Sequence, residues 1–172
     1  MGSRIVIVEY EPEWVLLFEE LRTFILPVVR DIIVSIEHVG STSVPGLAAK
    51  PIIDIDVVVR TQEGVLSAIQ GLASLGYVHE GDLGVSGREA FIPPSDVKWH
   101  HLYVCTYDNA EYKRHILFRD YLRSHPEEAK KYGELKLELA QKYVNDRIAY
   151  TEAKGQFVNR VLNRVINEST QG

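Results

Sequence analysis

Eight consecutive residues, Ile52-Ile53-Asp54-Ile55-Asp56-Val57-Val58-Val59, restrict this chain more than any other segment. Six of the eight are isoleucine or valine, whose branched Cβ is crowded in a helix and packs well on a pleated strand. A strand alternates its side chains. Asp54 and Asp56 therefore share one face, and Ile53, Ile55 and Val57 take the other and belong to a core. Two neighbouring carboxylates among so much hydrocarbon repel each other and lose hydration, so the pair requires a compensating cation. Mg²⁺ or Mn²⁺ accepts carboxylate oxygens and bridges them to phosphate. Two competing readings stay open. The strand is an edge strand whose acids face water, or Lys50, just ahead of it, pairs with one of the acids and no metal is needed.

The rest of the chain alternates helix and strand signals. Pro12 suits a first helical turn, and Trp14, Leu17, Phe18, Leu21 and Ile25 recur on one helical face. Pro27 is expected to end or kink that helix. Residues 34–39 read as a strand and 5–8 as a short strand or lead-in. Val65, Leu66, Ile69, Leu72 and Leu75 mark a second helix, with Gly76 as its stop. Tyr77–His79, 89–92 and 99–106 are further strands, and Gly81–Gly87 is a mobile turn. Asp108 with Glu111 reads as a helix start, as do Ser124, Pro126 and Glu127. Three helices are expected over 109–168. The architecture predicted is a mixed α/β (α+β) sheet flanked by helices. A boundary near 108 divides a core, 1–108, from a helical part, 109–172, that packs across it.

At 172 residues the chain can bury a core without disulfides, and its one cysteine, Cys105, excludes an internal disulfide framework and a multi-cysteine zinc site. Cys105 ends an apolar strand, where a buried, inert thiol is expected. No apolar run is long enough for a membrane span, and Ile5–Val8 is too short for a secretory signal. Gly2-Ser3 reads as a cloning remnant, and a cytoplasmic location is expected. The net charge of −5 argues against a generic nucleic-acid coat. That charge is unevenly spread: residues 1–108 hold 7 Lys/Arg against 15 Asp/Glu, and 109–172 hold 12 against 9. An acidic front able to hold cations thus faces a basic tail able to meet an anion.

Ahead of the acidic strand lies His38-Val39-Gly40-Ser41-Thr42-Ser43-Val44-Pro45-Gly46. A small-residue turn lets backbone N–H groups approach phosphate oxygens, and hydroxyls add donors. No Gly-Lys-Ser/Thr follows, so this is not a Walker loop, and the Rossmann glycine spacing is absent. Arg119 and Arg123 are four apart and share a helix face, as do Tyr150 and Lys154. Each of these has a plain alternative, a surface ion pair for the cations and packing for Tyr150.

A strand ending in Gly-Ser, a short connection and an Asp-x-Asp strand together resemble the nucleotidyltransferase superfamily, the polymerase β-like and antibiotic-modifying enzymes. Within it, several segments are similar to the GrpB family over roughly residues 5–166. They are His38–Leu47, Lys50–Asp56, His100-His101, Phe118–Arg123 and Tyr150–Lys154. The resemblance implies a nucleotidyltransferase-like fold and transfer of a nucleoside monophosphate from a nucleoside triphosphate to a small acceptor. Asp54 and Asp56 would hold Mg²⁺ or Mn²⁺. Gly40, Ser41 and Ser43 would cradle the phosphates, and Lys50, Arg88, Arg119, Lys136, Tyr150 and Lys154 would contact the nucleotide. Many members place a third carboxylate on a later strand. Here that strand, Trp99-His100-His101-Leu102-Tyr103, has none, so His101 is its nearest substitute as a catalytic residue. Tyr103 stands where the family usually has a second histidine and is a poor ligand for a divalent ion. His100 is expected to be structural.

Other readings fit less well. A haloacid-dehalogenase-type phosphatase also opens on Asp-x-Asp, but it wants a distant acid cluster, and Gly81-Asp82 supplies no second acid. A binding or regulatory protein that holds a nucleotide or phosphometabolite without transferring it remains the alternative. The sequence leaves the nucleotide, the acceptor and the oligomeric state open.

Overall fold

A computed structural model describes residues 4–172; Met1, Gly2 and Ser3, including the Gly2-Ser3 dipeptide, lie outside it. In chain order the elements are α1 (Glu13–Val29), β1 (Ile33–Val39), β2 (Asp54–Val59), α2 (Gln62–Ser74), β3 (Val78–Gly81), β4 (Arg88–Ile92), β5 (His101–Thr106), α3 (Ala110–Ser124), α4 (Pro126–Lys142) and α5 (Arg147–Thr170). The strands form one mixed sheet, ordered β1-β2-β5-β4-β3. β2 runs antiparallel to β1 and parallel to β5, and β4 is antiparallel to both β5 and β3.

Register assigns the two faces. Val39 and His101 flank Asp54, while Glu37 and Tyr103 flank Asp56. The opposite face carries Ile55, Val57 and Val59 of β2 with Leu102 and Val104 of β5, all at most 1% exposed. It packs on the apolar stripes of α1 (Trp14, Phe18, Leu21, Ile25) and α2 (Val65, Ala68, Leu72). Each such side chain contributes about 1.5–3 kcal/mol by leaving water, enough to fix the strand register and so the direction of the aspartates. A second cluster joins Val44 and Leu47, after β1, to Tyr121, Tyr132 and Phe157 of the C-terminal helices. That packing lays α3, α4 and α5 over the polar face.

Some local expectations need correction. Pro27 lies inside α1 and the helix ends two residues further on, at Val29; the proline forfeits the bond its N–H would give to the carbonyl of residue 23, but only the last two residues follow it. The helix after β5 is capped by Asn109, whose side chain accepts from Tyr112 N at 3.0 Å. Asp108 is drawn away by the Thr106 hydroxyl, which donates to it at 2.6 Å. Of residues 5–8 only Val8 pairs, in a single bridge to Ala49. No helix among the described residues is long and apolar enough to cross a membrane.

Candidate nucleotide and metal site

The acidic pair sits where β1, β2 and β5 meet under α3. Asp54 Oδ1 is 2.7 Å from His101 Nδ1, its register neighbour. Gly40 adopts φ 74°, and a Cβ on it would overlap the Asp54 carboxylate. The glycine bend therefore lies directly against the first aspartate, with no room for another residue type. The bend is held from below. Ser43 Oγ donates to Gly40 O at 2.5 Å, and buried His38 Nε2 lies 2.9 Å from Thr42 Oγ1 while its ring stacks on Phe18. From above, Arg123 Nε donates to Ser43 O, and Arg119 donates to His38 O and the Glu37 carboxylate.

Asp56 is 1% exposed. Its Oδ2 is 3.0 Å from His115 Nδ1 of α3, and its Oδ1 is buried with no partner. His115 Nε2 reaches Glu111 at 3.3 Å, one helical turn back. Burial works against charge on this imidazole, but hydrogen bonds and Coulombic attraction from Asp56 and Glu111 outweigh it and raise its pKa to about 9. Lys50 does not neutralise the acids; no ion pair joins it to either among the described residues.

Lys50 instead lies over the Tyr150 ring at 5.0 Å, and Lys154 lies over the same ring at 5.5 Å. With Lys136 they line a cavity of about 440 Å³ shared with Gly40, Ser41, Asp54, His101, His115, Arg119 and Tyr150. Lys136 is 2% exposed, and its Nζ has no hydrogen-bond partner. Burial, then repulsion from Lys154 and Lys50, lowers its pKa to about 7. Burial also lowers Lys50 and Lys154. The cavity thus converges three amines on one region, and the acid whose field reaches all three is Asp54.

Of the residues named from sequence, the fold brings Asp54, His101, Gly40, Ser41, Lys50, Arg119, Lys136, Tyr150 and Lys154 to one cavity, with Asp56 buried behind it. Ser43 and Arg88 do not line that cavity. The Ser43 hydroxyl is spent on the bend, and Arg88 stands over the Tyr103 ring at 4.0 Å. Sequence reasoning missed Glu111, His115, Arg147 and Glu37. The Glu111/His115 spacing of four was a visible signal for a shared helix face, but nothing local placed that face over Asp56.

Among the described residues no three His, Cys, Asp or Glu side chains are grouped to hold a metal unaided. Two carboxylates, one with a buried unpartnered oxygen, still fit Mg²⁺, which commonly takes one or two carboxylates and fills its remaining positions from substrate phosphates and water.

These features define a nucleotidyltransferase-like fold. The structure resembles Cid1 poly(U) polymerase, solved with MgGTP bound, at a TM-score of 0.53 and 14% identity, over 80% of this chain and 44% of that one. At that identity the likeness concerns the fold. The chain belongs to the GrpB protein family, whose model matches residues 4–164. It is 35% identical to the glutamate-rich protein GrpB of Alkalihalophilus pseudofirmus, across 95% of this chain and 97% of that protein. It is 36% identical to the UPF0157 protein YqkA of Bacillus subtilis over 90% of its own length, but spans only 45% of YqkA. The crystal structure of GrpB from Enterococcus faecalis superposes at a TM-score of 0.83 with 35% identity, covering 95% of this chain and 99% of that one.

Proposed function

We propose that the protein is a metal-dependent nucleotidyltransferase that moves a nucleoside monophosphate from a nucleoside triphosphate to a small acceptor. The carrying observation is Asp54 lining one cavity with Lys50, Lys136 and Lys154, while the unpartnered Asp56 Oδ1 is buried directly behind it. Asp54 and Asp56 would hold Mg²⁺ or Mn²⁺, which when bound supplies charge neutralisation at the α-phosphate. Gly40 and Ser41 present small, close-approaching backbone to the phosphates. Lys50, Lys136 and Lys154 stabilise charge on the departing pyrophosphate. In the transfer, an acceptor oxygen or nitrogen bonds to the α-phosphorus, the bond from phosphorus to the α,β-bridging oxygen breaks, pyrophosphate leaves, and the acceptor proton passes to water. His101, already tied to Asp54, fixes that carboxylate's orientation.

Thermal shift with Mg²⁺ and each of the common nucleoside triphosphates tests this. At least one should stabilise the wild type and leave an Asp54→Asn, Asp56→Asn double variant unmoved; equal shifts in both proteins would remove the metal–nucleotide reading. A second reading, a binder without turnover, is favoured by the His115 contact, which already places positive charge on Asp56. Pyrophosphate release from labelled triphosphate with a metabolite extract separates the two.

Lys136→Met is a near volume-conserving change that removes a buried amine whose Nζ makes no hydrogen bond and lies 4.7 Å from the centre of the Tyr132 ring. It should leave the fold as stable as before or more so, while tripolyphosphate affinity falls about 10- to 100-fold, the worth of charge-assisted bonds to one group. Calorimetric titration with Mg·tripolyphosphate reads this directly.

Lys136 also sets a pH dependence. Its pKa in the fold is about 7, against 10.5 when free. Between those values the unfolded chain keeps a proton that the native protein has lost, so on this group's account stability rises with pH there. Binding runs the opposite way. An anion restores the proton, so triphosphate affinity should fall as pH climbs above about 7, with proton uptake visible as a buffer-dependent binding enthalpy. An affinity flat across that range would show that Lys136 does not meet the anion.

A further inference from the structure

Arg88 is unexplained by the cavity. It opens β4, two strands from the aspartates on the same sheet face, and its guanidinium lies 4.0 Å from the centre of the Tyr103 ring. Tyr103 is the register neighbour of Asp56. Arg88 takes part in no ion pair among the described residues, and its Nε is buried with no hydrogen-bond partner. Glu111, whose field reaches it, is already engaged by His115 and Arg114. A guanidinium held in place by an aromatic face and left without an acid is a prepared seat for a carboxylate or phosphate.

Its position says which anion. The lysines gather at the Asp54 end of the acidic pair: Asp54 lines their cavity and is the acid whose field reaches all three. Tyr103 neighbours Asp56, and Arg88, in register with Cys105, lies one row further along the same face, past the end of the pair away from Asp54. Displacement at phosphorus is in line, so the entering nucleophile and the departing pyrophosphate stand on opposite sides of the reacting atom. The exposed Trp99 ring meets His101 edge-on at 6.4 Å, which in turn lies 6.4 Å from Tyr103. These rings run along β5 in the order Trp99, His101, Tyr103, so Tyr103 is the ring that stands between the aspartates and Arg88.

We propose that Arg88, with Tyr103, forms the acceptor subsite, and that the acceptor is a small molecule carrying a carboxylate or phosphate as well as its nucleophilic group. This rests on the transfer reading above and adds the chemistry of its second substrate.

The buried Arg88 Nε–H exchanges slowly enough with water to be followed by NMR, and its resonance is identified by its loss in Arg88→Met. The lysine cavity is first filled with Mg·tripolyphosphate, and inorganic phosphate or acetate is then added. The Arg88 resonance should move saturably with the second anion, and Arg88→Met should bind tripolyphosphate as the wild type does. Lys136→Met, with its weakened tripolyphosphate binding, should keep the phosphate response. Saturation of the Arg88 signal by tripolyphosphate alone would return Arg88 to the nucleotide site and overturn the proposal. So would a linear drift matched by chloride at equal ionic strength, the mark of an adventitious ion only. Failure of tripolyphosphate to bind the wild type, with the Arg88 response intact, has a different signature: the transfer reading falls, and with it the acceptor role.

Discussion

Asp56→Asn is expected to abolish nucleotide-dependent metal binding and to lower the transfer rate by roughly 10³-fold or more, since a bound divalent ion supplies several kcal/mol of charge stabilisation and each 1.4 kcal/mol is tenfold. The size of the effect follows from the environment. Asp56 is almost wholly buried, one oxygen is held by His115, and the other has no partner in the protein. An amide retains the volume but cannot hold a divalent ion with a neutral oxygen nearly as well. The His115 imidazolium would then keep only Glu111 as its counter-charge, so its pKa should fall from about 9 toward the ordinary value. Manganese binding followed by electron paramagnetic resonance, with and without triphosphate, reads the metal. Histidine NMR reads the imidazole. Unchanged manganese affinity in the presence of triphosphate would end the proposal that this acid is a metal ligand.

Gly40→Ala should be the most damaging single change outside the acids. The backbone there has φ 74° and ψ −176°, a region essentially confined to glycine that costs another residue about 1–3 kcal/mol, and the added methyl would meet the Asp54 carboxylate. Either the bend opens or Asp54 turns away from His101. For a chain of this length 1 kcal/mol corresponds to about 2–4 °C in Tm, so a loss of several degrees is expected together with loss of Mg·tripolyphosphate binding. Gly46→Ala is the control. Gly46 also has positive φ, at 81°, but an added Cβ there would meet nothing within 4 Å. It should lose only the backbone contribution and retain binding. Equal binding losses in both variants would mean that the bend, not its contact with Asp54, governs the site.

The sheet was legible because its signals are local. Branched residues from Ile52 to Val59 announce a strand, alternation separates acids from hydrocarbon, and the stripe from Trp14 to Ile25 announces the helix that covers the apolar side. Gly40 beside an Asp-x-Asp strand was legible as a pattern with a known chemical use. The partner of Asp56 was not legible. His115 meets Asp56 only because α3 crosses the sheet after a parallel β2–β5 pairing, and no local periodicity encodes that crossing. Lys50 illustrates the opposite error: nearness in sequence suggested an ion pair, while the fold lays the side chain over Tyr150. Arg88 read as one more cation for the nucleotide. Strand order sets it two strands from the acids, outside the cavity that the lysines line. Ser43 read as a phosphate donor, but turn geometry commits its hydroxyl to Gly40 O. The cap at Asn109 rather than Asp108 is a one-residue competition between two capable side chains, settled by the Thr106 hydroxyl.

The parallel contact between β2 and β5 bears on how the molecule assembles. Asp54 meets His101 across 47 positions of chain, and Asp56 meets His115 across 59. Loop closure over such spans must precede any reward from the contacts, so the centre of the sheet belongs to the slow, non-local stage of folding. No short excised peptide brings these four side chains together. Regain of ligand binding during renaturation therefore times the completion of the whole tertiary arrangement, whereas recovery of helical signal reports only its earliest events.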